Sequence, residues 1–498
     1  MIVMKFGGTS VESGDAIARL AGIVNSYLAQ HPVVVVSAMG KTTNKLLEFA
    51  QHARLGDIYL SSKCLDELQD HHFEVADQVA KGDALHRLET SLQRSFRDLR
   101  VILFEVADEG REVTPALLDE IASFGERMSS EIVAAALESS GVTSVHLDAR
   151  DVILTDSHHT QASPLYWESY ARLRRVIPYL SDGRVVVMGG FIGATEDGVT
   201  TTLGRGGSDL TASIVGAGIC ADEIQIWTDV DGMLTCDPRV LQGGYRLQSL
   251  SYEEAAALAA SGAKVLHPDT VTPAVRQRIP VVIRNSRRPE LEGTRITAAA
   301  PRCSNPVKAI ACKPDLTVLE IRPKDERSPE ELAMALGEMC ERYGTPAEFL
   351  CQNNGTIFLA VKGSALYQNL PIEVDGCVEV RLHPRSAILT LVGEGIGGNP
   401  EIATRASVAL KGIAVTILSS SRSKLTMSLL VPSAEMRRSI EMLHREFFQQ
   451  IDPTVFAECQ EPGFQSRQPL STFTEPCETA ARTGTARRFR PLTIISQN

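Results

Sequence analysis

No stretch of the 498-residue chain approaches the roughly 18–20 consecutive apolar residues that cross a bilayer, so no membrane association is expected. A basic excess is missing too. The 50 Lys+Arg against 61 Asp+Glu leave a net charge of −11, the wrong sign for a general nucleic-acid binder. The opening Met1-Ile2-Val3-Met4-Lys5 runs straight into a glycine turn and lacks the layout of a secretory leader. The 10 cysteines form no Cys-x-x-Cys pair and no His/Cys cluster at zinc spacing. Reduced thiols in a cytoplasmic protein are therefore expected, and no protein-bound metal cluster. The adjacent pairs His71-His72 and His158-His159 are read as surface residues.

What is present is globular. Hydrophobic residues at 43% and charged residues at 22% exclude wholesale disorder, and the length implies two to four domains. Short β-branched runs alternate with amphipathic stretches. Val33–Ser37, Val185–Met188, Glu223–Thr228 and Ile279–Ile283 read as strands, with helices such as Ser129–Ser140 and Ser208–Ala217 between them. That alternation predicts an α/β domain over residues 1–295, with a mainly parallel sheet covered on both faces. About residues 45–119 the pattern is helical and charged, and is taken as an excursion from the sheet. Small residues and prolines over 296–314 suit a linker. Two similar α+β units follow within 315–452. The first holds the strand Leu316–Ile321, the helix Pro329–Arg342 and the strand Thr356–Val361. The second holds the strand Ala387–Val392, the helix Pro400–Lys411, the strand Lys424–Val431 and the helix Ser433–Phe448. Residues 453–498, rich in Pro, Ser, Thr, Gln and Arg, are expected to be disordered.

Four passages carry chemistry. Lys5-Phe6-Gly7-Gly8-Thr9-Ser10 follows a strand, and its glycines let backbone N–H groups approach an anion. A following helix would aim its dipole at the same point. An ordinary strand-to-helix turn explains the same residues. Ser37-Ala38-Met39-Gly40-Lys41-Thr42-Thr43-Asn44 contains Gly-Lys-Thr. Val35 stands where a Walker loop needs its first glycine, so a P-loop is excluded. A hydroxyl-rich strand end remains, on the edge where open α/β sheets bind ligands. In Gly204-Arg205-Gly206-Gly207-Ser208-Asp209, Ser208 or Asp209 is able to cap the next helix. Capping does not explain an arginine among glycines, which suits a two-pronged grip on a carboxylate or phosphate. The fourth passage, Trp227 to Leu234, leads to Asp237-Pro238-Arg239. Further on, Gly262-Ala263-Lys264-Val265-Leu266-His267-Pro268 sets a lysine at a helix end, where dipole compensation is the plain alternative.

Taken in order, these passages resemble the amino-acid kinase superfamily, and within it the aspartate kinases. The units after Pro306 resemble paired ACT domains, and the likeness covers roughly residues 1–450. It implies a three-layer sandwich with a mainly parallel central sheet. It also implies MgATP-dependent phosphorylation of the L-aspartate β-carboxylate, the first step towards lysine, threonine and methionine. By resemblance, Lys5 and Asp209 are catalytic. Ser37, Thr43, Glu126, Arg205 and Ser208 form the aspartate-binding set. Lys5, Gly7, Gly8, Thr9, Thr228, Asp229, Asp237, Arg239 and Lys264 belong to ATP. Leu234 stands where the family usually has tyrosine. The nucleophile is a carboxylate with an ordinary pKa of about 4, so no general base and no Ser-His-Asp arrangement is required.

The alternatives are a kinase of another small carboxylate, such as acetylglutamate, and a non-catalytic amino-acid sensor. The charged set is complete, which favours the enzyme. No fused homoserine dehydrogenase is expected, since no Gly-x-Gly-x-x-Gly follows the second unit. A homodimer or larger oligomer through the ACT units is expected. Feedback inhibition by lysine is expected to be weak, absent or altered, because Arg322–Ser328 contains a proline and no glycine.

Overall fold

Runs of valine and isoleucine apolar on both faces are suited to a buried parallel sheet, and the central sheet is built from them. The computed structural model describes residues 1–459 except 108–109, 264–267, 325–328, 343, 354, 363–377 and 419–423. The strands are β1 (Ile2–Phe6), β2 (Pro32–Val36), β3 (Ser144–Leu147), β4 (Val185–Gly189), β5 (Ile192–Ala194), β6 (Thr200–Thr202), β7 (Glu223–Thr228), β8 (Tyr245–Leu247), β9 (Ser249–Ser251), β10 (Val281–Asn285) and β11 (Thr294–Thr297). The main sheet has the order β3-β4-β2-β1-β7-β10-β11-β9. From β3 to β10 all neighbours are parallel, and β11 turns back antiparallel to β10.

Side chains alternate across this sheet as the pleat requires. Ile2, Met4, Phe6, Val34 and Val36 pack against helices α1 (Gly14–Ser26), α2 (Thr42–Arg54), α3 (Ile58–Val79), α4 (Gly82–Ala107) and α5 (Pro115–Ser139). Val3, Val33, Val35, Val186 and Ile224 face α6 (Tyr166–Leu180), α7 (Gly207–Ile219) and α8 (Tyr252–Ala260). The short α9 (Thr272–Arg276) closes the list in this half. The result is the expected three-layer α/β sandwich. Residues 45–119 are not an excursion from it. Leu65 and Leu68 on α3, and Leu88, Leu92, Phe96 and Leu99 on α4, recur at helical spacing, and they share one core with Met4 and Phe6. His72 is likewise no surface residue. It is fully buried, its Nδ1 lies 2.7 Å from the Leu68 carbonyl oxygen, and burial pushes its pKa down to about 4.

The second half is one antiparallel sheet ordered β13-β14-β12-β15-β17-β16. Its strands are β12 (Ala309–Pro323), β13 (Ala347–Asn353), β14 (Thr356–Val361), β15 (Val378–Val392), β16 (Thr416–Ile417) and β17 (Thr426–Pro432). Helices α10 (Pro329–Arg342), α11 (Pro400–Ala409) and α12 (Met436–Phe447) accompany them. The two units join through β12 and β15, paired from Ala309↔Val392 to Pro323↔Val378. The proposed linker is therefore shorter than 296–314, because β11 ends at Thr297 and β12 starts at Ala309. Between them Lys308 is 2% exposed, and its Nζ lies 2.7 Å from Glu254 Oε1 on α8.

The tail expectation also changes at its start. β18 (Phe456–Glu458) pairs with β8, and Val455 and Phe456 are buried. Phe448, His444 and Tyr245 extend this contact as a stack of rings. Two apolar residues sufficed to anchor a stretch without periodicity. Residues 460–498 lie outside the described part.

Candidate active site

The carboxyl ends of β1, β2, β4 and β7 converge, since β1 lies between β2 and β7. Lys5, next to last on β1, is 9% exposed, and its Nζ makes a 2.7 Å ion pair with Asp209 Oδ1. After β1, the Gly7 N–H donates to the Trp227 carbonyl oxygen at 3.0 Å. A Cβ on Gly8 would stand 3.0 Å from the carbonyl oxygens of Ala38 and Gly40, so the β1 and β2 turns approach as only glycine permits. Gly8–Ser10 makes one 3-10 turn, and the following helix begins at Gly14, capped by Ser13.

A cavity of about 250 Å³ opens here, lined by Lys5, Ser37, Thr43, Glu126, Phe191, Gly204, Gly206, Gly207, Ser208 and Asp209. Six of the side chains singled out in the sequence thus share one space. Ser208 and Asp209 are not helix caps. Helix α7 starts at Gly207 behind Gly206, which has a left-handed φ of 74° and makes no side-chain cap bond. Both side chains are therefore left to face the cavity. Arg205 is exposed at the tip of the turn between Gly204 and Gly206, and has no ion pair among the described residues.

Glu126 comes from the middle of α5. Its Oε1 accepts from the Ala38 N–H at 3.1 Å, while Oε2 is buried without a partner among the described residues. Burial pushes its pKa up to about 8, with the Ala38 hydrogen bond and the nearby Lys5 opposing the rise. A buried oxygen with no donor is ready for a cationic ligand. Phe191 was missed in the sequence. It holds an unusual φ of 64°. The Gly189-Gly190 pair before it is the available signal, since a Cβ on Gly190 would meet Ser208 Cα at 2.7 Å.

A second cavity of about 460 Å³ adjoins the end of β7 and includes Thr228, Asp229, Asp237 and Arg239. Its remaining wall is mainly apolar, with Met233, Leu234, Leu258 and Ala263, a surface suited to a flat heteroaromatic ring. Asp237 and Arg239 are joined by a 2.6 Å ion pair, so each is partnered in the ligand-free protein. Ile310, Ala311 and Cys312 of β12 complete the wall, a contribution not legible in the sequence. A Cβ on Gly262 (φ 112°) would come within 2.6 Å of the Cys312 carbonyl oxygen. Gly7, Gly8 and Thr9 line neither cavity, and Lys264 lies outside the described residues.

Residues 1–285 match the model of the amino acid kinase family, and residues 389–447 match that of the ACT domain. Aspartokinase 1, chloroplastic, of Arabidopsis thaliana is 32% identical over 466 residues, covering 90% of this chain and 80% of that protein. Lysine-sensitive aspartokinase 3 of Escherichia coli (strain K12) is 29% identical over 461 residues, covering 90% of this chain and 99% of that one. The crystal structure of E. coli aspartokinase III with aspartate and ADP superposes with a TM-score of 0.75 at 28% identity, over 90% of this chain and 100% of that chain.

Proposed function

Because the chain belongs to the amino acid kinase family and is an aspartate kinase, we propose that the smaller cavity takes L-aspartate and the larger one ATP. The observation that carries this reading is the first cavity's charge pattern. It sets a paired lysine and a partnerless buried carboxylate oxygen around a space of about 250 Å³. An amino acid with a second carboxylate needs both signs. Glu126 receives the ammonium group. Arg205, without an ion pair among the described residues, closes on the α-carboxylate with its planar fork. Ser37, Thr43 and Ser208 supply hydroxyl groups. The β-carboxylate is ionised at neutral pH. Its oxygen forms the bond to the γ-phosphorus while the bond to the ADP oxygen breaks, giving 4-phospho-L-aspartate. No proton has to leave the nucleophile.

What this chain contributes is position and charge. Lys5 meets the charge of the transferring phosphoryl group. Asp209 holds Lys5 in place by the 2.7 Å ion pair. The Gly8 amide and Thr9 serve the phosphates beside Lys5, and Gly7, whose N–H is already bonded to the Trp227 carbonyl oxygen, leaves room for them by lacking a side chain. Thr228, Asp229, Asp237, Arg239 and Lys264 serve the nucleotide, with Leu234 an apolar wall. Among the described residues no cluster of three acidic, histidine or cysteine ligands could hold a metal by itself. That donor set fits Mg²⁺ carried largely by ATP's own phosphates, with Asp209 and Asp229 as the nearby carboxylates. When bound, Mg²⁺ supplies neutralisation of phosphate charge.

A homodimer joined through the antiparallel sheet is supported by its open edge strands, and light scattering tests it. A cytoplasmic location is supported by the free thiols of the described cysteines. No helix of the described residues is long and apolar enough to cross a membrane. ADP release from MgATP with L-aspartate, L-glutamate and N-acetylglutamate in turn tests the substrate. Turnover with L-aspartate alone is expected, and preference for another acceptor would refute the reading.

A further inference from the structure

Seven residues before Glu126 on α5 lies Asp119, a carboxylate 1% exposed. It makes no ion pair with lysine or arginine among the described residues. It is instead surrounded by donors from two other segments. The Thr160 N–H donates to both carboxylate oxygens at 3.0 Å. The Thr202 hydroxyl donates to Oδ1 at 2.5 Å. His159 Nδ1 donates to Oδ2 at 2.8 Å. His159, expected at the surface, is thereby held inward with its side chain 17% exposed. Burying a carboxylate is costly unless its lone pairs are filled, and here they are filled by an arrangement that fixes two segments at once.

Those segments lead to the Arg205 turn. Thr202 is the last residue of β6, three residues before Arg205. The Ala162 N–H donates to the Thr202 carbonyl oxygen at 2.9 Å, tying the Ser157–Ala162 loop to β6. The same loop lies under the turn. A Cβ on Gly204 would meet Gln161 Cγ at 3.2 Å and the Thr160 carbonyl oxygen at 3.3 Å. Thr160 itself holds a left-handed φ of 71°, a conformation a threonine keeps only where its surroundings impose it. The Asp119 hydrogen bonds to its N–H are such an imposition. From Arg205 onward the chain enters α7, whose first turn carries Ser208 and Asp209.

We propose that Asp119 is a positioning residue for aspartate recognition, acting through Thr160 and Thr202 to hold the Gly204–Gly207 turn so that Arg205 reaches the substrate carboxylate. This rests on the reading of Arg205 as the carboxylate grip. Misplacing a bidentate contact by about an ångström costs on the order of tenfold to a hundredfold in the step it serves. Asp119→Asn keeps the shape of the side chain but turns one acceptor oxygen into a donor facing the Thr160 N–H and His159.

The test is a kinetic double-mutant cycle with Asp119→Asn and Arg205→Lys on the full chain. Asp119→Asn is expected to raise KM for aspartate at least about tenfold while KM for ATP stays near its original value. In the Arg205→Lys background most of that effect is expected to vanish, because the grip it serves is already impaired. An equal effect in both backgrounds overturns the proposal, as does equal damage to both KM values. If Asp119→Asn fails to fold, Thr202→Val removes a single donor of almost the same shape and enters the same cycle. An unaltered aspartate KM in Arg205→Lys alone would instead remove the assigned role of Arg205, and this proposal with it. A raised KM there with an additive cycle removes only the role of Asp119.

Discussion

Glu126 offers the sharpest physical consequence. In the ligand-free protein burial raises its pKa from the ordinary 4.5 to about 8. Each tenfold change in proton affinity is about 1.4 kcal/mol, so ionising Glu126 in the empty site costs on the order of 5 kcal/mol more than ionising an ordinary exposed carboxyl. The folded chain therefore binds more protons at this group than the unfolded chain between pH 4.5 and about 8. The contribution of Glu126 to stability falls as pH rises through that window. An ammonium group reverses the preference, since an adjacent cation favours the ionised carboxylate. If Glu126 receives the substrate ammonium as proposed, binding aspartate expels the proton. At pH 7 release of about 0.9 proton is expected, and at pH 9 about 0.1, with aspartate affinity strengthening up to about tenfold per pH unit below pH 8. Isothermal calorimetry in two buffers of different ionisation heat measures the release. Glu126→Gln, taken through the same titrations, subtracts every other group. Equal release by wild type and Glu126→Gln at pH 7 would refute the reasoning.

Two further outcomes concern how the halves hold together. Lys308→Met should destabilise the protein by about 3–5 kcal/mol, because it leaves the Glu254 carboxylate buried and unpaired. Denaturant unfolding measures this, and adding Glu254→Gln should recover part of the loss. Phe456→Ala should cost about 3–5 kcal/mol and make the chain after Phe448 more susceptible to limited proteolysis. Unchanged cleavage would contradict the docking of β18.

How much was legible in the sequence depended on whether the signal was local. The valine runs of β2 and β4 announced themselves, and the bounds of α10 and β14 followed from prolines, glycines and period. Glycines next to charges marked Lys5, Gly8 and Arg205 because close backbone approach leaves a composition trace. Capping by Ser208 or Asp209 was a reasonable local reading, but the left-handed Gly206 took the cap position. His72 was misjudged because a neutral buried histidine has no sequence signature distinct from an exposed one. Phe191, Asp119 and the Ile310–Cys312 wall acquire their roles only when distant segments meet. Strand β18 was missed because two apolar side chains in a polar stretch leave no periodicity to read.

The central claim is that catalysis here is charge neutralisation around a preorganised lysine, without a general base. Steady-state kinetics of Lys5→Ala with L-aspartate and MgATP test it most directly. With Lys5 in its proposed role, acting mainly on charge that develops during transfer, kcat should fall by about 10²–10³-fold while KM for aspartate changes little. A near-normal kcat, or a loss confined to KM for aspartate, would contradict the account.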